Sequence, residues 1–128
     1  MRFLDLVMAL LFAFAAALQF NDPDPIRWIA IYTAACAVAL VMYTKRWVVP
    51  AVPLAVLVIA SVWAMAIAFC GPAASEYEHM FDAWEMKSPS VEEAREASGL
   101  LIVSVWMIVL LVRAHRPLEP RDRRCSAT

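Results

Sequence analysis

Residues 48–70 read VVPAVPLAVLVIASVWAMAIAFC, a run without a single charged side chain. An α-helix needs about 20 predominantly apolar residues to cross the hydrocarbon core of a bilayer. A helix also satisfies its own backbone hydrogen bonds, which lipid cannot do for an irregular chain. The run therefore predicts a transmembrane helix.

Three more predominantly apolar segments, at 3–20, 26–43 and 90–114, accompany the span at 48–70, and the last of them begins with charged residues. The chain has 128 residues, is 63% hydrophobic and has a mean hydropathy of +0.67. A soluble core of this size could not hide so much apolar surface from water. We therefore predict an all-α polytopic membrane protein, a bundle of four transmembrane helices that forms one membrane domain over residues 1–128.

The predicted helices are joined by polar links of unequal length. Pro23 and Pro25 fix the backbone of the link Asn21–Pro25, which predicts a tight turn between the first two spans. The longest link is the extramembrane loop at 71–89. Within it, aromatic and methionine side chains recur at the spacing of one helical face, which predicts a short amphipathic helix between helices 3 and 4: Tyr77, Met80, Phe81 and Trp84.

The first apolar segment also has features of a secretory signal peptide. Arg2 precedes it, and small residues, Ala15 to Ala17, stand near its end. Asp5 interrupts this pattern, and the turn Asn21–Pro25 leads directly into another apolar segment, as in a helical hairpin. We interpret the segment as a retained first helix.

Basic residues beside the spans predict the orientation of the chain. Cytoplasmic loops of membrane proteins carry an excess of Lys and Arg. Most of the basic residues fall on one side of the predicted spans: Arg2, Lys45, Arg46, Arg113, Arg116, Arg121, Arg123 and Arg124. We therefore expect a multi-pass protein of the cell membrane with both termini in the cytoplasm, anchored by a basic tail at 115–128.

The opposite side carries the candidate site. Asn21, Asp22 and Asp24 come from the first turn, close to Trp28, and carboxylates from the start of helix 4 should face them: Glu92, Glu93 and Glu96, with Arg95 among them. Oxygen ligands of this type bind hard cations. The sequence therefore predicts a ligand site here, with Asp22, Asp24, Glu93 and Glu96 as candidate ligands of a divalent cation.

A structural role for the same residues is the alternative. Asp and Asn before Pro are common turn formers, and carboxylates in the first turn of a helix complement its dipole. Arg95 would then pair with Asp22, Asp24 or Glu92 and brace the bundle without a ligand.

Two polar motifs resemble those of the transmembrane protein 220 family. The first is ALQFNDPDP at 17–25, followed by Trp28 and Tyr32-Thr33; the second is EEAREASGL at 92–100, with Trp106 downstream, and Val62-Trp63-Ala64 fits between them. The resemblance covers most of the chain up to Val112. It implies a small polytopic membrane protein, without a characterised activity, whose motif positions coincide with the predicted site.

These observations predict a small membrane binding or accessory protein with an outward-facing acidic site for a cation or a small polar ligand. A structural subunit or assembly factor of a larger membrane complex is the second hypothesis, and a membrane-embedded enzyme the third, although no catalytic motif is found in the sequence. The expected partners are the lipid bilayer and either a membrane protein or a second copy of the chain. The net charge of -1 gives no reason to expect nucleic acid binding.

The orientation is testable with reporters. A reporter fused after Thr128 should be active in the cytoplasm, and one inserted near Ser88 should be active on the opposite side, because of the asymmetry of Lys and Arg. Exchanged signals would contradict the orientation. A mature N-terminus directly after Ala17 would show instead that the first segment is a cleaved signal.

Overall fold

The computed structural model describes residues 1–22, 24–71 and 89–116, with only the backbone for 89–92. Helix α1 is Arg2–Leu18 and continues into a 3₁₀ turn at Gln19–Asn21; α2 is Pro25–Lys45, α3 is Ala51–Cys70 and α4 is Pro89–His115. The described part contains four helices long and apolar enough to cross a membrane and no strand. The predicted all-α polytopic fold is confirmed. The predicted loop helix and most of the basic tail lie outside the described residues.

Prolines set where two of the helices begin. Helix α2 starts with Pro25 in its first turn, where the missing amide hydrogen leaves no intrahelical bond unmade. Helix α3 starts at Ala51, after Pro50, and not at residue 48 as the apolar run suggested. Val49 precedes a proline, which disfavours helical backbone for it. The backbone therefore leaves helical geometry between Arg46 and Pro50.

The helices pack as two antiparallel pairs. Helix α1 packs along α2, α3 packs along α4, and α2 contacts both members of the second pair. This arrangement gives the bundle two ends of opposite character. We call them the basic end, with Arg2, Lys45, Arg46, Arg113 and Arg116, and the acidic end, with Asp22, Asp24, Glu93 and Glu96.

Small residues allow the helices to approach closely. Ala35 and Ala39 of α2, Ala60 of α3 and Ala94 of α4 are completely buried. Large apolar side chains such as Phe14 point outward, where lipid would cover them. Attraction between helices in lipid depends on close contact and polar pairs, because lipid tails are as apolar as the side chains.

One such close contact joins α2 to α4. A Cβ atom on Gly99 would lie 2.0 Å from the hydroxyl oxygen of Tyr32 and 3.3 Å from its ring carbon Cζ. Only a glycine leaves room for the buried Tyr32 ring at this point of α4. The pair therefore fixes the depth at which the second and fourth helices meet.

At the basic end, an ion pair joins α1 to α4. Arg113 donates from Nη1 to Asp5 Oδ1 at 2.5 Å and from Nη2 to Asp5 Oδ2 at 3.0 Å. Asp5 is completely buried, and the Arg113 side chain is 18% exposed. Two parallel bonds satisfy both oxygens of a carboxylate that would otherwise be costly at this depth. From the sequence, Asp5 was noted only as an interruption of a signal-like segment.

Gly99→Ala should destabilise the protein by about 1–3 kcal/mol, because the added methyl group overlaps Tyr32. In a Tyr32→Phe background the same substitution should cost less, since the hydroxyl is the nearest atom. Unfolding in detergent micelles measures both effects, with the outward-facing Leu101→Ala as control. Equal costs in the two backgrounds would contradict the contact.

Asp5→Ala and Arg113→Ala should each cost about 3 kcal/mol or more, because each leaves a buried charge without its partner. The double variant should be little worse than either single one. The exposed pair Asp24 and Arg27 offers a matched control, for which the coupling should stay below about 1 kcal/mol. Similar coupling energies for both pairs would show that Asp5 is not desolvated.

Candidate functional site

Tyr32 of α2 is buried at the acidic end. The negative charges of Glu96 in α4 and Asp22 in the turn contribute to the electrostatic potential at its hydroxyl. Since Tyr32 also rests against Gly99, residues from α2, α4 and the turn are close together. The acidic end thus has a polar centre that is partly shielded from solvent, to which Asp22 and Glu96 each contribute a half-buried side chain.

The 3₁₀ turn at Gln19–Asn21 determines where Asp22 lies. The amide of Asp22 donates to the backbone carbonyl of Gln19 at 3.1 Å, which closes the turn. The side-chain oxygen Oε1 of Gln19 is buried and accepts no hydrogen bond from the described part of the chain. An acceptor left unpaired in this way costs about 1–3 kcal/mol. The side-chain oxygen of Gln19 therefore lacks a hydrogen-bond donor from the described residues, at a position next to the predicted site.

The prediction from spacing and charge did not include Gln19. A glutamine within an otherwise apolar segment, directly before the turn motif, was the available signal. Tyr32 was likewise quoted only as part of the family motif. Charge and spacing do not single out either residue, because both are neutral, whereas a site in a membrane also uses neutral donors and acceptors.

An aromatic layer lies next to this centre. The rings of Trp28 and Trp63 stack with centroids 4.4 Å apart, and Trp28 also stacks on Tyr32 at 6.4 Å. Trp28 belongs to α2 and Trp63 to α3, so the stack connects the two helix pairs. Of the predicted site residues, Trp28 thus has a clear structural role as well as a position beside Tyr32.

Asp24 takes part in a different contact. Its carboxylate accepts a hydrogen bond from Arg27, one turn later in the chain, and both side chains are largely exposed. The guanidinium of Arg27 lies 5.7 Å from the centroid of the Trp63 ring. Asp24 is therefore held at the surface by Arg27, and Asn21 is exposed as well.

The start of α4 contributes residues of unequal burial. Glu93 is exposed, with Oε2 3.1 Å from the position that a Cβ atom on Gly71 would occupy, so it lies at the end of α3. Arg95 and Glu96 are half-buried, and both interact with other groups. The side chain of Glu92 lies outside the described residues.

Within residues 1–22, 24–71 and 93–116, no three His, Cys, Asp or Glu side chains come together as a metal site would require. The four candidate ligands are distributed instead: Asp24 pairs with Arg27, Glu93 lies near Gly71, Asp22 caps the 3₁₀ turn and Glu96 belongs to α4. The sequence grouped them by side of the membrane, which does not fix the distances between them.

The acidic end thus offers several acceptors beside an aromatic layer. Asp22 and Glu96 carry negative charge, and Gln19 supplies a neutral oxygen. Carboxylates and amide oxygens accept hydrogen bonds, and the faces of Trp rings attract cations. This chemistry suits a ligand with donor groups and a positive charge.

The four helices and this polar end define an integral membrane protein of the small polytopic class. The family described as "Transmembrane family 220, helix" matches the chain over residues 11–112, and the chain belongs to this family. The resemblance inferred from the two polar motifs is thereby confirmed. No solved structure matches the chain.

Proposed function

We propose that the protein is a membrane binding or accessory protein that holds a small polar cation at its acidic end. The observation that carries this proposal is the excess of carboxylates at this end: among the described side chains, Asp22, Asp24, Glu93 and Glu96 stand against Arg27 and Arg95. Such an excess of negative charge near lipid attracts a cation.

The neighbouring groups narrow the chemistry of the ligand. The unpaired Oε1 of Gln19 requires a hydrogen-bond donor. The guanidinium of Arg27 lies 5.7 Å from the centroid of the Trp63 ring, a contact that supports the compatibility of this aromatic layer with positive charge. An organic ammonium combines donors, positive charge and affinity for aromatic faces. We therefore favour an amine over a bare metal ion.

The predicted residues take different parts in this proposal. Asp22 and Glu96 supply the charge, while Trp28 forms the aromatic side together with Trp63. Asn21, Glu93 and Asp24 lie at the exposed rim, where Glu93 adds negative charge, Arg27 neutralises Asp24 and Asn21 supplies a neutral amide. Arg95, at the start of α4, limits the net negative charge of the end.

Ligand-dependent stabilisation of the full chain in detergent micelles tests the proposal. Ethanolamine, choline, calcium and magnesium ions serve as probes at equal ionic strength. A ligand at 100 times its Kd should stabilise the protein by about 2.7 kcal/mol. We expect one of the two amines to stabilise it, and Asp22→Asn and Glu96→Gln to abolish the effect. Asp122→Asn in the tail is the matched control for loss of a carboxylate.

Gln19→Met separates binding from stability. It removes the unpaired oxygen, so the free protein should become more stable by about 1 kcal/mol, while the stabilisation by the amine should decrease. If the amine still stabilised the Asp22→Asn and Glu96→Gln variants, the proposed site would be wrong. If only calcium or magnesium stabilised the parent protein, and neither stabilised these variants, the ligand would be a metal ion and not an amine.

A further inference from the structure

The basic end gathers exposed cations from three separate stretches of chain. Arg2 begins α1, Lys45 and Arg46 end α2, and Arg116 follows α4; all four side chains are exposed. We call these four residues the cationic surface. In the described part of the chain, Asp5 is the one acidic residue at this end. It is buried, and Arg113 neutralises it. The surface therefore has a clear excess of positive charge.

Two contacts hold parts of this surface in place. The indole nitrogen Nε1 of Trp47 donates to the backbone carbonyl of Ala114 at 3.3 Å. Arg46 directly precedes Trp47, and Arg116 lies two residues after Ala114, so one contact brings the ends of α2 and α4 together. The guanidinium of Arg2 lies 5.4 Å from the ring centroid of Tyr43, near the end of α2. The cationic surface is thus organised by the fold.

Arg46 occupies an unusual backbone conformation. Its φ is 60°, which lies in the left-handed region. Among the described residues, it is the one non-glycine residue with a positive φ. Its amide donates to the carbonyl of Met42 at 3.0 Å and so terminates α2. Glycine or asparagine usually fills this position, since other side chains are strained there. A long cationic side chain thus stands where glycine would be less strained, and this places a positive charge at the end of α2.

We propose that the cationic surface binds the phosphate headgroups of anionic phospholipids. Guanidinium groups bind phosphate oxygens through paired hydrogen bonds, and Lys45 adds a point charge. These residues end membrane-crossing helices, at the depth where headgroups lie. Trp47 supports this location, because the residue is 42% exposed and its indole N–H is satisfied, as in an interfacial anchor. The ligand is thus a lipid of the surrounding leaflet.

Native mass spectrometry of the full chain, titrated with phosphatidylglycerol or with phosphatidylcholine of the same acyl chains, tests this proposal. We expect phosphatidylglycerol to bind more tightly, and higher salt to reduce the difference. Arg46→Gly, Lys45→Gln and Arg116→Gln should each weaken its binding about fivefold, the effect of about one basic residue at a membrane surface. Arg27→Gln, at the acidic end, should leave it unchanged.

Arg46→Gly also separates binding from folding. Glycine suits the left-handed position, so this variant should unfold at the same temperature as the parent or higher, while its affinity for phosphatidylglycerol falls. Equal binding of the two lipids would overturn the proposal, as would an equal loss in Arg27→Gln. Competition by soluble glycerol phosphate at the concentration of the lipid would overturn it too, since a free phosphate compound would then be the ligand.

Discussion

Lipid cannot form hydrogen bonds, and this limitation governs the whole structure. Every polar group below the headgroups must find its partner within the protein or remain unpaired at a cost. Helices satisfy the backbone, and Ser104 shows how a side chain is satisfied: its hydroxyl donates to the carbonyl of Leu100 at 2.8 Å and lies 3.3 Å from the Ser61 hydroxyl of α3. A described side chain that is buried without a hydrogen-bond partner therefore indicates a place where a partner from outside could bind.

Two buried groups in the described residues lack such a partner, Oε1 of Gln19 and Nε1 of Trp106. Gln19 lies beside the polar centre of the acidic end, where a ligand would explain the unpaired oxygen. Trp106 is 8% exposed and lies between Gly99 and Arg113, two turns of α4 from each.

Charged side chains are compensated in different ways at the two ends of the bundle. At the basic end, Asp5 and Arg113 cancel inside the protein, and the remaining cations face outward. At the acidic end, Arg27 holds Asp24 at the surface, while Asp22 and Glu96 are half-buried. A buried and paired charge supports the fold, and the proposed binding site lies at the end where the carboxylates are only partly buried.

The four helices, the prolines that bound them and the segregation of charge to two ends follow from the amino-acid sequence, because length, apolarity and backbone restriction are local properties. The sequence also indicates that Asp22 and Glu96 share an end. The pairing of Asp5 with Arg113, the contact of Gly99 with Tyr32 and the burial of the Gln19 side-chain oxygen depend on how the helices pack. In a soluble helix the apolar face marks the core. In lipid both faces are apolar, so the sequence does not reveal how each helix is rotated, and rotation decides which polar groups meet.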